Sequence, residues 1–108
     1  MTNILEKIVK DKKKKLNLIK KENSIDSLEK KIKELNFFYN FEEKIKKNSG
    51  VSIISEIKKA SPSAGILVKN FNHIDIAKMY IDNGATCLSV LTEEKHFLGS
   101  LTYIKDIK

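Results

Sequence analysis

The chain has 108 residues, a hydrophobic fraction of 41%, a charged fraction of 32% and a formal net charge of +7. This length allows at most one small domain. The single cysteine excludes an internal disulfide and fits a reducing compartment. No apolar run reaches the roughly 18 residues of a membrane span, and the N-terminus lacks a signal-peptide core. We therefore expect a soluble cytoplasmic protein.

Lysine supplies all 21 basic residues, and the charge is unevenly placed: residues 1–47 carry a net +6 and residues 48–108 a net +1. A lysine-rich helix can bind nucleic acid or an anionic membrane surface. Such sites usually interleave aromatic or arginine residues with the lysines, and none occurs before Phe37. We therefore interpret the lysines as a solvated helix face and expect neither nucleic-acid nor membrane binding.

The first 48 residues predict three helices, each preceded by a side chain that caps the first turn. The predicted helices are residues 3–21 with Asn3 and Glu6 as a capping box, residues 24–35 after Ser24 or Asp26, and a short helix from Asn40 to about Lys47. An aromatic cluster at residues 37–41 is either a packing anchor or a lid, and periodicity does not separate the two. We assign residues 1–48 as a helical N-terminal extension.

After Gly50 the pattern changes to alternating strands and helices. The stretch Val51–Ser63 reads V-S-I-I-S-E-I-K-K-A-S-P-S, an apolar, β-branched run that predicts a strand and then a loop. Both faces of this strand carry apolar residues, which predicts a parallel strand covered on both sides.

Two helices and a second strand, joined by loops, follow the predicted strand. Residues 66–71 predict a loop, and Asn72 caps a helix that ends at Gly84 in a left-handed conformation. We expect the buried stripe of this helix to be Ile74, Ala77 and Ile81. The remaining predicted elements are a buried strand at Ala85–Thr92, a charged loop at Glu93–Gly99 and a helix capped by Ser100 that runs to at least Ile107.

Two parallel strands can neither close a barrel nor bury both faces. The sequence also ends within a predicted helix that has no cap or breaker. We therefore expect this chain to be a fragment of a longer polypeptide, or to fold only with a partner. The second predicted domain, residues 49–108, is then the first two βα units of an incomplete barrel.

Glu56 and Lys58 are the residues most suggestive of chemistry, because they share one face at the carboxyl end of a predicted buried strand. Catalytic groups occupy that end in α/β sheets and barrels. A structural ion pair is the alternative. Burying two charges costs several kcal/mol in desolvation, which their pairing offsets only partly, so this position favours a functional role. Ser61 begins a loop that can offer hydroxyl and backbone donors to an anion. No spacing fits a metal site, and we expect Cys87 to be a small core residue.

Two long motifs and the opening of the chain carry a resemblance to a known family. The segments are I-S-E-I-K-K-A-S-P-S-A-G at Ile54–Gly65, A-T-C-L-S-V-L-T-E-E-K-H-F-L-G-S-L at Ala85–Leu101, and the opening N-I-L-E-K-I-V-K-D-K at Asn3–Lys12. In order and separation they closely resemble indole-3-glycerol-phosphate synthase, from about residue 3 to the end of the chain.

The resemblance implies an α/β fold, the (β/α)8 TIM barrel with a helical N-terminal extension, here truncated after roughly two βα units. It implies a lyase of tryptophan biosynthesis that closes the indole ring of 1-(2-carboxyphenylamino)-1-deoxyribulose 5-phosphate with loss of CO2 and water. No organic cofactor and no metal is implied. The expected partner is this phosphorylated small molecule, and fusion to or association with other tryptophan-pathway enzymes is left open.

The resemblance also implies roles for four residues. Lys58 is expected to contact the substrate carboxylate and assist proton transfer, and Glu56 to orient Lys58 and take part in dehydration. Ser61 is expected on the phosphate side, and Phe97 against the aromatic ring of the substrate. The principal general-acid lysine of the family, at the end of strand three, would lie beyond Lys108. We therefore predict that the 108 residues alone are inactive and poorly folded.

Two other interpretations compete. One is a different phosphate-binding TIM barrel, such as phosphoribosylanthranilate isomerase, against which the S-P-S-x-G and T-E-E-K-x-F-x-G-S motifs argue. The other is a basic helical module that binds nucleic acid or a membrane surface with strong salt dependence. The second leaves Glu56 and Lys58 unexplained.

Overall fold

A computed structural model describes residues 3–108, which divide into two compact units. The first unit ends at Tyr39, and the second spans Asn40–Lys108. Within residues 3–108, none of the helices combines the length and the apolar composition that crossing a bilayer requires.

The first unit consists of two helices, α1 (Ile4–Glu22) and α2 (Ile25–Lys33). The Asn3 Oδ1 accepts a hydrogen bond from the Glu6 N–H at 2.8 Å, and the Asn3 amide lies 3.4 Å from the Glu6 carboxylate. The Ser24 hydroxyl accepts from the N–H three residues further on, at 3.1 Å. Both predicted helices are confirmed, and Ser24 is the cap of α2.

The surface of the first unit is rich in lysine but also exposes apolar side chains such as Leu5, Leu18 and Ile25, and neither α1 nor α2 contains a buried residue. Lysines occupy the last turn of each helix, where a cation is stabilised by the helix dipole. Phe37 and Tyr39 form an edge-to-face pair, with ring centroids 4.9 Å apart. Part of the predicted aromatic cluster is therefore held together by ring packing within this unit.

The second unit contains seven elements in a mixed α/β order. They are α3 (Phe41–Lys47), β1 (Ile54–Ile57), β2 (Ala60–Ser61), β3 (Gly65–Ile66), α4 (His73–Asp82), β4 (Cys87–Val90) and α5 (Thr102–Ile107). The Asn40 and Asn72 side chains accept hydrogen bonds from the first turns of α3 and α4, at 2.9 and 3.0 Å. Gly84 follows α4 with φ +93°, which confirms the predicted left-handed helix end.

The strands β1 and β4 form a parallel pair, with Ile54 opposite Cys87 and Ile57 opposite Val90. The pairing begins one residue earlier, where Ile53 accepts from the Thr86 N–H at 2.9 Å and donates its own N–H to the Thr86 hydroxyl at 3.0 Å. The helix α4 connects the two strands. The predicted strand–helix–strand arrangement is therefore confirmed.

The core of the second unit is small. Ile57 on β1 is 1% exposed, and the other buried apolar residues of this unit are Ala60, Ala77 and Cys87. The face of β1 opposite to Ile57 is open, because Ile54 and Glu56 on that face are 51% and 46% exposed. The prediction that both faces of β1 are covered is therefore wrong for these 108 residues, since α4 packs on one face only. The prediction of Cys87 as a core residue is confirmed.

The predicted buried stripe of α4 is correct at one residue of three. Ala77 is buried, but Ile74 and Ile81 are exposed, the latter by 53%. The face towards β1 is completed by Tyr80, whose hydroxyl donates to the Glu56 carbonyl oxygen at 3.0 Å. Ile81 lies about 100° further around the helix than Tyr80, so both cannot face β1. The small Ala77 side chain and the polar Tyr80 tip decide the orientation.

Two loop predictions also need correction. Ile66, predicted as the first residue of a loop, instead forms β3 together with Gly65, and β3 pairs with β2 in an antiparallel hairpin around Pro62. The helix α5 begins at Thr102, and Leu101 rather than Ser100 is its N-terminal flanking residue. The Ser100 hydroxyl accepts from the Thr102 N–H at 3.3 Å, which makes a turn before the helix instead of a cap.

The helices α4 and α5 contact each other through a cluster of aromatic and polar side chains. The His73 Nε2 lies 2.8 Å from the Asp106 carboxylate, and the His73 ring stacks on Tyr103 with centroids 4.3 Å apart. Phe71 packs on Tyr103 at 5.6 Å. This cluster attaches the last helix to the βα unit before it.

Candidate active site

The carboxyl ends of β1 and β4 lie side by side, because the two strands are parallel and Ile57 pairs with Val90. The segments that leave these strands therefore emerge at one edge of the sheet. All four residues singled out by the sequence belong to this edge or to the loops that leave it. Glu56 and Lys58 lie at the end of β1, Ser61 lies in the hairpin after it, and Phe97 lies in the loop after β4.

Glu56 and Lys58 form an ion pair, with the Lys58 Nζ 3.2 Å from the Glu56 Oε1. The side chains are 46% and 33% exposed, respectively. The expectation of a buried charge pair is therefore wrong within these 108 residues, because the face of β1 that carries Glu56 has no covering layer. Since water reaches both groups, the desolvation cost is smaller than for a buried pair. Both side chains are therefore accessible to an anionic ligand.

Tyr80 holds the backbone beneath this pair. Its hydroxyl donates to the main-chain oxygen of Glu56, so α4 is tied to the residue that carries the carboxylate. The sequence analysis missed this role. The available signal was a tyrosine three residues after Ala77, on the same face of the helix, since a tyrosine that packs against a core usually finds a partner for its hydroxyl.

Ser61 lies where β2 turns into the hairpin. Its hydroxyl oxygen accepts from the Ala64 N–H at 3.1 Å and lies 3.4 Å from the Ser63 hydroxyl. Gly65 closes the turn with φ +67°, a conformation that favours glycine. A serine hydroxyl has one donor and two acceptor positions. The contact with Ala64 uses an acceptor, so Ser61 can still donate to an anionic oxygen.

Phe97 is half-buried in the loop between β4 and α5, residues 91–101, which we call the β4–α5 loop. One carboxylate organises this loop: Glu93 accepts hydrogen bonds from the N–H groups of Lys95, His96 and Phe97, at 3.1, 2.6 and 3.0 Å. Partial burial of Glu93 raises its pKa, but these three backbone hydrogen bonds and the nearby His96 charge outweigh burial and lower the pKa overall. Glu93 is therefore held as a carboxylate.

Gly99 fixes the other end of the β4–α5 loop. Its N–H donates to the Glu93 carbonyl oxygen at 2.7 Å, directly after Leu98, which has φ +52°. An added Cβ at Gly99 would lie 2.2 Å from the Leu91 carbonyl oxygen, so only glycine fits this close approach. The sequence analysis placed Glu93 and Gly99 in a charged loop and gave neither residue an individual role. Beyond the charge of Glu93 and a glycine six residues later, the sequence offers no signal for this arrangement.

This edge thus offers a cation and a carboxylate in contact, a serine hydroxyl and an aromatic ring in an ordered loop. Such a set can bind an aromatic anion and move a proton. Among residues 3–108, no three histidine, cysteine, aspartate or glutamate side chains converge as metal ligands would.

The chain matches a protein-family model described as indole-3-glycerol phosphate synthase, over residues 5–108. It is 45% identical to the indole-3-glycerol phosphate synthase of Desulforamulus reducens over 105 residues, and 44% identical to that of Clostridium acetobutylicum over 106 residues. Each comparison covers 97% of this chain and 40% of the relative. The chain therefore spans about two-fifths of the length of the curated relatives it matches. These comparisons give no support to the binding-module or isomerase interpretations.

Proposed function

The chain belongs to the indole-3-glycerol phosphate synthase family, and on that premise we propose that it supplies the first part of the active site of such a synthase. The substrate is 1-(2-carboxyphenylamino)-1-deoxyribulose 5-phosphate, the products are indole-3-glycerol phosphate, CO2 and water, and the compartment is the cytoplasm. The observation that carries the proposal is the Glu56–Lys58 ion pair at the carboxyl end of β1. Both residues lie within residues 5–108, the part of the chain that matches the family model.

The reaction defines what these residues must do. A new bond joins the ring carbon that bears the carboxylate to the keto carbon of the sugar chain. CO2 then leaves that ring carbon, and the hydroxyl formed from the keto oxygen leaves as water. The reaction therefore needs a cation beside the carboxylate, a proton for the keto oxygen and a base for the final dehydration.

We assign these tasks by chemistry and by the family resemblance. The Lys58 ammonium pairs with the substrate carboxylate and assists proton transfer. Glu56, 3.2 Å from Lys58, orients the ammonium and takes part in the dehydration. The Ser61 hydroxyl uses its donor position on the phosphate side of the substrate. Phe97 packs on the aromatic ring and holds it for attack on the keto carbon.

The complete reaction needs further groups. The resemblance implies that the principal general-acid lysine and the main phosphate-binding loops follow the two strands described here, in a (β/α)8 barrel. The open face of β1 and the exposed ion pair are the surfaces that such a barrel covers. We accordingly expect no turnover from the 108 residues by themselves.

The test uses a completed enzyme, in which these 108 residues are followed by the part of the C. acetobutylicum relative beyond the matched stretch. We expect indole-3-glycerol phosphate formation from the completed enzyme and none from the 108-residue chain. Lys58→Ala should lower kcat by about 10²- to 10⁴-fold, the usual contribution of a positioned proton-transfer group. Lys78→Ala, which removes an exposed lysine of α4, is the matched control. Near-normal turnover by Lys58→Ala would remove Lys58 from the mechanism, and an inactive completed enzyme would overturn the proposed function.

A further inference from the structure

Glu93 is a carboxylate at the candidate site that the reaction scheme does not use. It lies three residues beyond β4, at the start of the β4–α5 loop, and it is half-buried. Glu56 already supplies the carboxylate beside Lys58. Glu93 therefore has a different task, and its contacts indicate which one.

The Glu93 carboxylate satisfies three consecutive backbone donors. Its Oε1 accepts from the Lys95 N–H, and its Oε2 accepts from the N–H groups of His96 and Phe97. A turn that displays three N–H groups without partners is costly wherever water is excluded. Hydrogen bonds to a charged acceptor are about twice as strong as those between neutral groups. The carboxylate thus fixes the backbone of the loop up to and including the amide of Phe97.

The main chain of Glu93 fixes the same loop a second time. Its carbonyl oxygen accepts from the Gly99 N–H at 2.7 Å. Glu93 therefore holds the loop at two places around Phe97. Its carboxylate accepts from the Phe97 N–H, and its carbonyl oxygen accepts from the Gly99 N–H two residues later. The close approach of Gly99 to Leu91 leaves the backbone little room to move between them.

We propose that Glu93 is a positioning residue for the synthase reaction: by accepting the Phe97 N–H and the two N–H groups before it, its carboxylate holds the Phe97 ring where the aromatic ring of the substrate packs. This inference rests on the proposed function, because it takes from there the contact between Phe97 and the substrate. Glu93 itself touches no reacting atom. It acts through the backbone of the loop.

The size of the effect follows from what an incorrect ring position costs. A displacement of about 1 Å in a group that positions the substrate can cost about 10²-fold in rate. In Glu93→Gln the side chain keeps its size, but one acceptor oxygen becomes an NH2 group that faces backbone donors, so at least one of the three hydrogen bonds is lost. We expect a loss of about 10- to 100-fold in kcat/KM.

A double-mutant cycle in the completed enzyme tests the assignment. The variants are Glu93→Gln, Phe97→Ala and the double variant, with Asp82→Asn as a control that removes an exposed carboxylate at the end of α4. If Glu93 acts through Phe97, adding Glu93→Gln to Phe97→Ala costs less than about 2-fold further, because the ring that it positions is absent. If the kcat/KM losses of the two single variants multiply in the double variant, the assignment is overturned. It is also overturned if Glu93→Gln alone leaves kcat/KM unchanged.

Amide hydrogen exchange in the completed enzyme distinguishes this inference from the proposed function. We expect slow exchange at the amides of His96 and Phe97, and exchange at least about 10-fold faster in Glu93→Gln. Fast exchange in the parent protein would overturn the role of Glu93 whatever the activity. Slow exchange that Glu93→Gln accelerates, in a protein without turnover, would overturn the proposed function and leave the loop assignment supported.

Discussion

Gly99→Ala is the substitution for which the structure gives the most direct magnitude. The added Cβ would lie 2.2 Å from the Leu91 carbonyl oxygen and 2.9 Å from the Thr92 carbonyl carbon. Ordinary contacts between such atoms are about 3.5 Å, so the backbone must separate by roughly 1 Å. Both colliding atoms belong to the main chain just after β4, and no side-chain rotation relieves the overlap. Forced overpacking of this kind costs about 1–3 kcal/mol.

Urea unfolding of the completed enzyme measures this cost. We expect Gly99→Ala to lower the free energy of unfolding by about 3 kcal/mol, at the upper end of that range because the contacts are with backbone. We also expect a loss of about 10²-fold in kcat/KM, since Phe97 lies two residues before the displaced position. Gly84→Ala is the matched control: φ there is +93° but no atom lies within 4 Å of the added Cβ. It should cost about 1 kcal/mol from backbone strain alone and leave kcat/KM unchanged. A smaller destabilisation from Gly99→Ala than from Gly84→Ala would refute the steric argument.

Three further predictions concern stability in the completed enzyme. Ile57→Ala, at a side chain only 1% exposed, should lower the free energy of unfolding by about 2–5 kcal/mol, and a loss below about 1 kcal/mol would place the core elsewhere. Tyr80→Phe removes one hydrogen bond to the Glu56 carbonyl and should cost about 0.5–1.5 kcal/mol, whereas an unchanged urea midpoint would mean that water replaces the hydroxyl without loss. Because the pKa of Glu93 is lowered in the folded state, its carboxylate stabilises the fold above the unfolded pKa of about 4.3. This contribution is lost as the pH falls through the lowered folded value. The stability difference between parent and Glu93→Gln should therefore be full at pH 7 and shrink below about pH 4, and a difference independent of pH would contradict a charged Glu93.

Features set by neighbouring residues could be predicted from the sequence. The caps at Asn3, Ser24, Asn40 and Asn72 depend on a side chain and an amide three residues apart, and all four form as expected. The parallel pairing of β1 with β4 followed from two apolar runs separated by a helix. At the candidate site, the contact between Glu56 and Lys58 followed from the alternation of side chains along a strand.

Features that depend on residues far apart in the sequence could not be predicted in this way. The orientation of α4 depends on the Glu56 carbonyl that Tyr80 reaches, 24 residues away in sequence, and helical periodicity alone favoured Ile81. The coverage of β1 depends on which layers pack against it, which the strand's own composition does not reveal. The Glu93 network is local, but its signal is a loop conformation with Leu98 at positive φ. Neither hydrophobic periodicity nor residue propensity encodes such a conformation.

The Tyr80 hydroxyl has a consequence for how the sheet meets another strand. The carbonyl groups of Ile53 and Ile57 accept hydrogen bonds from the β4 segment, and carbonyl directions alternate along a strand, so the Glu56 carbonyl points to the opposite edge of β1. Tyr80 occupies this acceptor. A carbonyl oxygen has two lone pairs, so a strand that pairs at this edge must share this acceptor with the Tyr80 hydroxyl or displace the hydroxyl, and displacement costs about 1 kcal/mol. Exposed strand edges invite non-specific pairing between chains, and Tyr80 protects this edge at the residue that also carries a proposed catalytic carboxylate.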